Sequence, residues 1–369
     1  MRRAFVYRLY PTKRQQLALI EHLDATRRLY NAALEQRRTV WHSRRTTISV
    51  YEQKRELPDL RRSEEQLGRV HTHACQEVLF RLDRAFRAFF RRVKAGQTPG
   101  YPRFKGRDRW DSLVFSEHGN GAKLTGDRLY VFGVGHLKAK LHRSLQGRIK
   151  TVTLKRSCRG HWSVVFSCDE VPARTFPEAI AEIGVDVGLT SFATLSTGEQ
   201  IENPRWYRQT EDTLVAAQQV LSVKKQGTSA RRQARQRVAR LHEKIREQRR
   251  DFHHKLAHRL VSGHDLIAVE GLQTKDLIDQ SSTGLAKSIT DAAWGQFLTI
   301  LGAKAEEAAR RFVKVPPRGT SSTCSGCGRL EPKALSERVH RCPCGLVLDR
   351  DHNAAINVLR LGRSRRVAA

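Results

Sequence analysis

Three acidic residues placed where apolar runs end constrain this chain more than any other feature in it. Asp186 lies in Ile183-Gly184-Val185-Asp186-Val187-Gly188, and Glu270 closes Leu266-Ile267-Ala268-Val269-Glu270-Gly271. Both runs are predicted to be buried strands leading into Gly-containing backbone. Asp351 lies in Asp349-Arg350-Asp351-His352-Asn353-Ala354-Ala355, at the start of an apolar helix. A carboxylate in a buried strand is costly unless its charge is compensated, and a metal ion compensates it. Taken singly, each acid fits a strand-end or capping role. As a set, strand–Asp, strand–Glu and Asp–helix point to one site. Three carboxylates brought together hold two divalent ions about 3.5–4 Å apart, one activating water and the other stabilising the leaving oxygen of a phosphodiester. Hard oxygen ligands with open water positions suit Mg²⁺.

The second constellation is Cys324-Ser325-Gly326-Cys327, then fourteen residues, then Cys342-Pro343-Cys344-Gly345. Two cysteine pairs at that separation predict a closed tetrahedral Zn²⁺ site with a structural role. The second pair is CxC rather than CxxC, and His340 is near enough to replace Cys342, which leaves a Cys₃His set as the alternative. Cys75, Cys158 and Cys168 form no pattern and are read as packing residues.

Charge then narrows the partner. The 369 residues carry 68 Lys+Arg against 37 Asp+Glu, a formal net charge of +31. That much like charge destabilises a compact monomer and favours a polyanion. An enzyme of small metabolites has little use for it. No run approaches the roughly 18 apolar residues of a membrane span. The N-terminal Met1-Arg2-Arg3-Ala4-Phe5-Val6 is broken by Arg8 and Lys13 without a cleavage site, so a cytoplasmic location, nucleoid-associated when bound to DNA, is expected.

Phe5, Tyr7 and Leu9 alternate with Val6, Arg8 and Tyr10 as in a strand, and Thr12 is a candidate helix N-cap. Helical stripes run through Leu17, Ile20, Leu23, Tyr30 and Leu34, and through Val78, Leu79, Leu82, Phe86, Phe89, Phe90 and Val93. Gly96-Gln97-Thr98-Pro99-Gly100 ends the second, so residues 12–95 read as a helical lobe inserted in a small β-barrel. Strands return from Leu113 to Cys168, most clearly the hairpin Ile149–Lys155 and Trp162–Cys168 with its turn at Arg159-Gly160. The stretch from Val171-Pro172 to Phe176-Pro177 marks a boundary, and a second strand, Ser191–Leu195, follows the first acid. One long basic helix is expected over about 211–262, where nine of the twenty residues 231–250 are Lys or Arg. A solvated helix face needs fewer, so nucleic-acid backbone contact is expected there, with Arg231, Arg235 and Lys244 as candidates.

Gly-Val-Asp-Val-Gly, Val-Glu-Gly-Leu, Ser-Ser-Thr-Cys-Ser-Gly-Cys-Gly and Cys-Pro-Cys-Gly…Asp-Arg-Asp-His-Asn-Ala-Ala-Ile-Asn, in that order, resemble TnpB, the transposon-encoded nuclease family related to type V CRISPR effectors. Secondary matches are Arg8-Leu9-Tyr10-Pro11, Tyr101-Pro102-Arg103-Phe104-Lys105 and Asp291-Ala292-Ala293-Trp294-Gly295-Gln296-Phe297. The resemblance implies an α+β multidomain chain: a wedge-like β-barrel (1–11 and 96–177) with an inserted helical recognition lobe (12–95). An RNase H-like α/β nuclease domain, RuvC (178–317 and 346–369), follows, with an inserted zinc-binding hairpin (318–345). It implies a guide RNA from the transposon end, and double-stranded DNA cut beside a short transposon-adjacent motif. It implies Asp186, Glu270 and Asp351 as catalytic Mg²⁺ ligands, with Asp349 the lesser candidate, and Cys324, Cys327, Cys342 and Cys344 as zinc ligands. Tyr51 and Gln76 lie where the family reads its DNA motif.

Three alternatives stay open at this level. A DNA transposase with an RNase H-like triad shares the chemistry but joins ends. A nuclease-inactive RNA-guided repressor shares the fold but should lack an acid. A miniature CRISPR effector differs only in its neighbouring genes.

Overall fold

The N-terminal alternation is a strand, β1 (Arg3–Tyr10), with Phe5, Tyr7 and Leu9 buried and Val6 and Tyr10 exposed. The computed structural model describes residues 1–173, 176, 179–334 and 337–365. The expected boundary at Phe176-Pro177 falls partly outside them, as do 335–336 of the expected insertion and 366–369 of the expected nuclease segment. The described chain forms two compact units, Met1–Pro172 and Ala173–Ala369.

In the first unit, Thr12 starts α1 (Lys13–Arg44) through a reciprocal capping box with Gln15. Next come α2 (Val50–Ser63), α3 (Glu65–Gly68) and α4 (Thr72–Lys94). Six strands follow: β2 (Ser112–Phe115), β3 (Ala122–Thr125), β4 (Arg128–Val131), β5 (Gly135–Lys140), β6 (Arg148–Arg156) and β7 (Trp162–Asp169). With β1 they build a seven-stranded antiparallel sheet, order β2-β6-β7-β1-β5-β4-β3, curled into a nearly closed barrel. One apolar core runs through sheet and helices, joining Phe5, Trp162 and Phe166 to Leu19, Leu34, Leu79 and Leu82. The Trp110 indole N–H reaches across it to the Thr26 hydroxyl at 3.0 Å.

Some expected positions differ. Leu17 is 63% exposed, because α1 buries Leu19, Leu23, Leu29 and Tyr30 instead. Phe90 and Val93 are also exposed, since α4 outruns the core beyond Phe86. Cys75 and Cys168 are buried as expected, whereas Cys158 is exposed in the turn between β6 and β7.

The second unit opens with β8 (Glu182–Val187), β9 (Ser191–Leu195) and β10 (Gln200–Glu202). The expected single basic helix is two, α5 (Trp206–Ser222) and α6 (Ser229–Gly263). Gly227 at φ +85 takes a backbone state few other residues tolerate, and the Thr228 hydroxyl then caps α6 by accepting from Arg231 N–H. Then follow β11 (Leu266–Glu270), α7 (Thr274–Asp279), α8 (Thr283–Ala292), α9 (Trp294–Glu307) and β12 (Arg311–Val315). The chain closes with a small hairpin, β13 (Val339–Arg341) and β14 (Val347–Asp349), and α10 (Arg350–Ser364).

Its main sheet has the order β10-β9-β8-β11-β12, with β8, β11 and β12 mutually parallel and β9 and β10 antiparallel. Alternation sorts its faces. Ile183, Val185, Ile267 and Val269 pack with Leu256, Leu260 and Phe297 of α6 and α9. Leu266 and Ala268 pack on the other face with Val358 and Leu359 of α10. Gly184 lets α10 come close: a Cβ there would lie 2.1 Å from the Ala355 carbonyl oxygen and 2.8 Å from the Leu359 nitrogen. Both are helix backbone and cannot swing aside. Gly184→Ala should therefore lower stability by about 1–3 kcal/mol, whereas Gly263→Ala, with nothing within 4 Å, should not. Equal melting temperatures for the two variants would show that α10 is not seated this way.

Candidate active site and metal centre

The period of two that buries Ile183 and Val185 sends Glu182, Gly184 and Asp186 to the α10 face of the sheet. The same logic on β11 sends Leu266, Ala268 and Glu270 there. The strands are parallel with Val269 beside Val185, and one further step sets Glu270 beside Asp186. Asp351 lies in the first turn of α10, the helix covering that face. Its Oδ2 would be 3.8 Å from a Cβ added at Gly188, two residues past Asp186. All three predicted acids thus meet at the C-terminal end of the parallel strands.

Burial and mutual repulsion act on all three carboxyls. Burial, with the Glu270 and Asp351 carboxylates, raises Asp186 well above the usual carboxylate range. Burial raises Glu270 against a hydrogen bond from the Thr320 hydroxyl, and Asp351 adds to the rise. Burial and the Asp349 charge raise Asp351 despite Arg338 and Arg350 nearby. Acids that resist ionising together are relieved by a cation, so this oxygen set fits divalent metal. Asp349 has another task. It is the N-cap of α10, accepting from the Asp351 and His352 N–H groups at 2.9 and 3.1 Å.

The four cysteines sit in two tight turns. In one, Cys324 N–H donates to Arg329 O and Gly328 N–H to Cys324 O. In the other, between β13 and β14, Cys342 N–H donates to Leu346 O and Gly345 N–H to Cys342 O. Their four sulfurs lie within 4.8 Å of one another, with Cys324–Cys344 at 3.7 Å and Cys327–Cys342 at 3.6 Å. Sulfurs bound at about 2.3 Å in a tetrahedron are about 3.8 Å apart, so the set fits Zn²⁺. His340 is buried behind them with its Nδ1 against Lys333 Nζ, and the cluster is Cys₄ rather than Cys₃His. Burial pushes the Cys324 thiol up, yet the Cys327 and Gly326 N–H groups and the His340 ring bring it down to about 5.

Sequence reasoning missed the ties between the two centres. Buried Asn353 accepts from Ser325 N–H at 2.9 Å and donates to Thr323 O at 2.8 Å. Asn357, one turn on, donates to Thr320 O at 2.9 Å and Thr323 O at 2.6 Å. One face of α10 thereby holds the chain entering the cysteine cluster, and Thr320 in that chain holds Glu270. The signal was present as Asn at i and i+4 beside Asp351. His352 faces the turn at Ser196, its Nε2 being 3.3 Å from Ser196 O.

The other candidates are surface features. Tyr51, on α2, is 62% exposed, its ring 6.5 Å from that of Phe80 on α4; Gln76 is half-buried one turn before Phe80. Arg235 and Lys244 are exposed on α6. Arg231 is half-buried, its guanidinium donating to Leu221 O at 3.0 Å and Lys224 O at 2.5 Å, so it closes the α5–α6 turn.

Comparison with known proteins gives the kinship of the chain. The profile of the IS605 OrfB family, described as "Probable transposase", matches residues 166–281. A "Cas12f1-like, TNB domain" profile matches 294–358, and a "Helix-turn-helix domain" profile of the OrfB proteins matches 1–46, where this chain has β1 and one uninterrupted helix. A Streptomyces pristinaespiralis protein named "Putative RNA-guided DNA endonuclease" is 34% identical over 98% of this chain and 90% of its own length. "Putative RNA-guided DNA endonuclease InsQ" of Escherichia coli K12 is 27% identical over 98% and 92%. Among solved structures, one described as the Cas12f1-sgRNA-target DNA complex has a TM-score of 0.58 at 13% identity, covering 93% of this chain and 82% of that one. Another, the mini-RNA-guided endonuclease CRISPR-Cas_phi3, has 0.52 at 9%, covering 98% and 92%. Fold, sequence kinship and motif order converge: this chain belongs to the TnpB family of IS605 OrfB proteins.

Proposed function

We propose that the chain is a transposon-encoded, RNA-guided endonuclease that cuts double-stranded DNA beside a short transposon-adjacent motif. The observation that carries this is the meeting of Asp186, Glu270 and Asp351 on one end of a sheet whose strand order suits an RNase H-like, RuvC nuclease. Asp186, Glu270 and Asp351 would hold two Mg²⁺, which when bound would supply water activation and stabilise the leaving oxygen. Asp186 and Glu270 offer oxygens from rigid strands, and Asp351 closes the set from the first turn of α10, where Asp349 fixes its backbone. Thr320 orients Glu270. Cys324, Cys327, Cys342 and Cys344 would hold one structural Zn²⁺ in the hairpin inserted over 318–345.

Base pairing to a guide RNA from the transposon end supplies sequence specificity, and the protein grips the heteroduplex through its backbone. Tyr51 and Gln76 on the helical segment 12–95 read the DNA motif, while Arg235 and Lys244 meet phosphates. The barrel, 1–11 and 96–177, carries that segment, and 178–317 with 346–369 is the nuclease. With one such acidic centre among the described residues, the two strands are cut in turn. Among the described residues no helix is long and apolar enough to cross a membrane.

The protein purified with its RNA should cut matched DNA in Mg²⁺, and ribonuclease digestion before the DNA is added should abolish cutting. Undiminished cutting after digestion would favour a protein-only nuclease. Joined ends would favour a transposase.

A further inference from the structure

The last turns of α4 and the segment 100–109 enclose a pocket of about 310 Å³ that the nuclease chemistry does not use. Phe89, Arg92, Tyr101, Arg103, Phe104 and Lys105 line it. Tyr101 and Phe104 are 45% and 46% exposed, and Phe90, whose ring meets those of Phe86 and Phe89, is 56% exposed. Tyr101 meets Phe86 and Phe89 edge-on, with ring centroids 5.6 and 5.3 Å apart.

The segment is anchored. The Asn31 side chain accepts from Lys105 N–H at 2.8 Å and donates to Lys105 O at 3.1 Å, and Arg27 adds a bond to that carbonyl at 3.4 Å. Arg38 lies 5.4 Å from the Phe104 ring centroid. Among the described residues no carboxylate pairs with Arg92, Arg103 or Lys105.

The bland account is that an amphipathic helix outran its core. It explains Phe90 and Val93, but not a concave, pinned segment that sets solvent-facing rings beside unneutralised cations. Aromatic faces with neighbouring positive charge suit a base and its phosphate. Apolar surface that must be covered continuously belongs with a resident partner rather than a passing one.

We propose that this pocket holds an unpaired nucleotide of the bound RNA, its base stacked on Tyr101 or Phe104 and its phosphates against Arg92 and Arg103. The choice of RNA rests on the function proposed above. The test uses the full chain and a fluorescein-labelled single-stranded oligouridylate, read by anisotropy across a salt series, with the matching DNA as a second arm. Tyr101→Ala with Phe104→Ala should weaken RNA binding about tenfold or more, while Tyr101→Trp keeps it and separates stacking from misfolding. Arg92→Gln with Arg103→Gln should flatten the logarithmic salt slope by about 1.4, or 0.7 per lost phosphate contact. Wild-type RNA affinity in the double alanine variant, or a loss confined to the DNA arm, overturns the assignment. If the wild-type chain bound neither strand, the proposed function itself would fail, a result distinct from failure of the pocket alone.

Discussion

Asp186→Ala, Glu270→Ala and Asp351→Ala should each lower DNA cleavage in Mg²⁺ by about a thousandfold or more while leaving RNA binding intact. A thousandfold is about 4 kcal/mol of transition-state stabilisation, within what a bound metal contributes. The three side chains come from β8, β11 and α10 and share one crowded site, so none can stand in for another. None is a cation, so the surfaces that hold RNA should not notice their loss. Thr320→Ala should be milder, about 10–100-fold, because it removes a partner of Glu270 rather than the carboxylate. Asp349→Ala should retain much of the activity and lose about 0.5–2 kcal/mol of stability, the cost of a missing N-cap. Single-turnover cleavage with each purified variant decides the matter. A fast Asp351→Ala beside a dead Asp349→Ala would exchange the roles of the two aspartates.

The second large effect concerns zinc. The purified chain should contain about one Zn²⁺, as one four-ligand site requires. Replacing Cys324 and Cys327 together by Ser should remove it and unfold the local turns, because forming such a site is coupled to folding. Cleavage should fall with the metal, although the cysteines are not among the three carboxylates of the acidic site. Asn353 and Asn357 bond the backbone at Thr320, Thr323 and Ser325, and β14 runs directly into the turn bearing Asp351. Loosening that chain frees both Thr320 and the start of α10. Elemental analysis of active protein that shows no zinc would remove the centre. A zinc-free double serine variant that cuts at the wild-type rate would remove the coupling.

Much of this site was legible because its residues break local rules. An acid closing an apolar strand, or four cysteines in two turns, needs a compensating partner, and the motif order then matched a family. The fold shows why Asp186 and Glu270 meet: alternation sends both to the face that α10 covers, and β8 and β11 are parallel neighbours. That adjacency could not be read from the chain, since the crossover through α5 and α6 decides which strands pair. The role of Thr320 was hidden for the same reason, its partner Glu270 being 50 positions away. The break at Gly227 is hard to read because polar residues stand on both sides of it, Lys224-Lys225-Gln226 before and Thr228-Ser229 after, so no apolar stripe changes phase there. Leu17 was placed inward by its spacing alone, but α1 buries a face centred on Leu19, Leu23 and Tyr30. In the sequence Arg231 is one cation among many, because its bonds to the Leu221 and Lys224 carbonyls exist only once the α5–α6 turn has folded.

The central claim is that the RNA chooses the target and the three acids cut it. The most direct measurement gives the same purified protein two RNAs that differ only in the guide segment, with a DNA library in which the adjacent sequence is randomised. Cleavage should move with the guide, require one fixed short motif, and vanish in Glu270→Ala for both guides. Cutting at a single DNA sequence whichever guide is present, or without any RNA, would contradict the account.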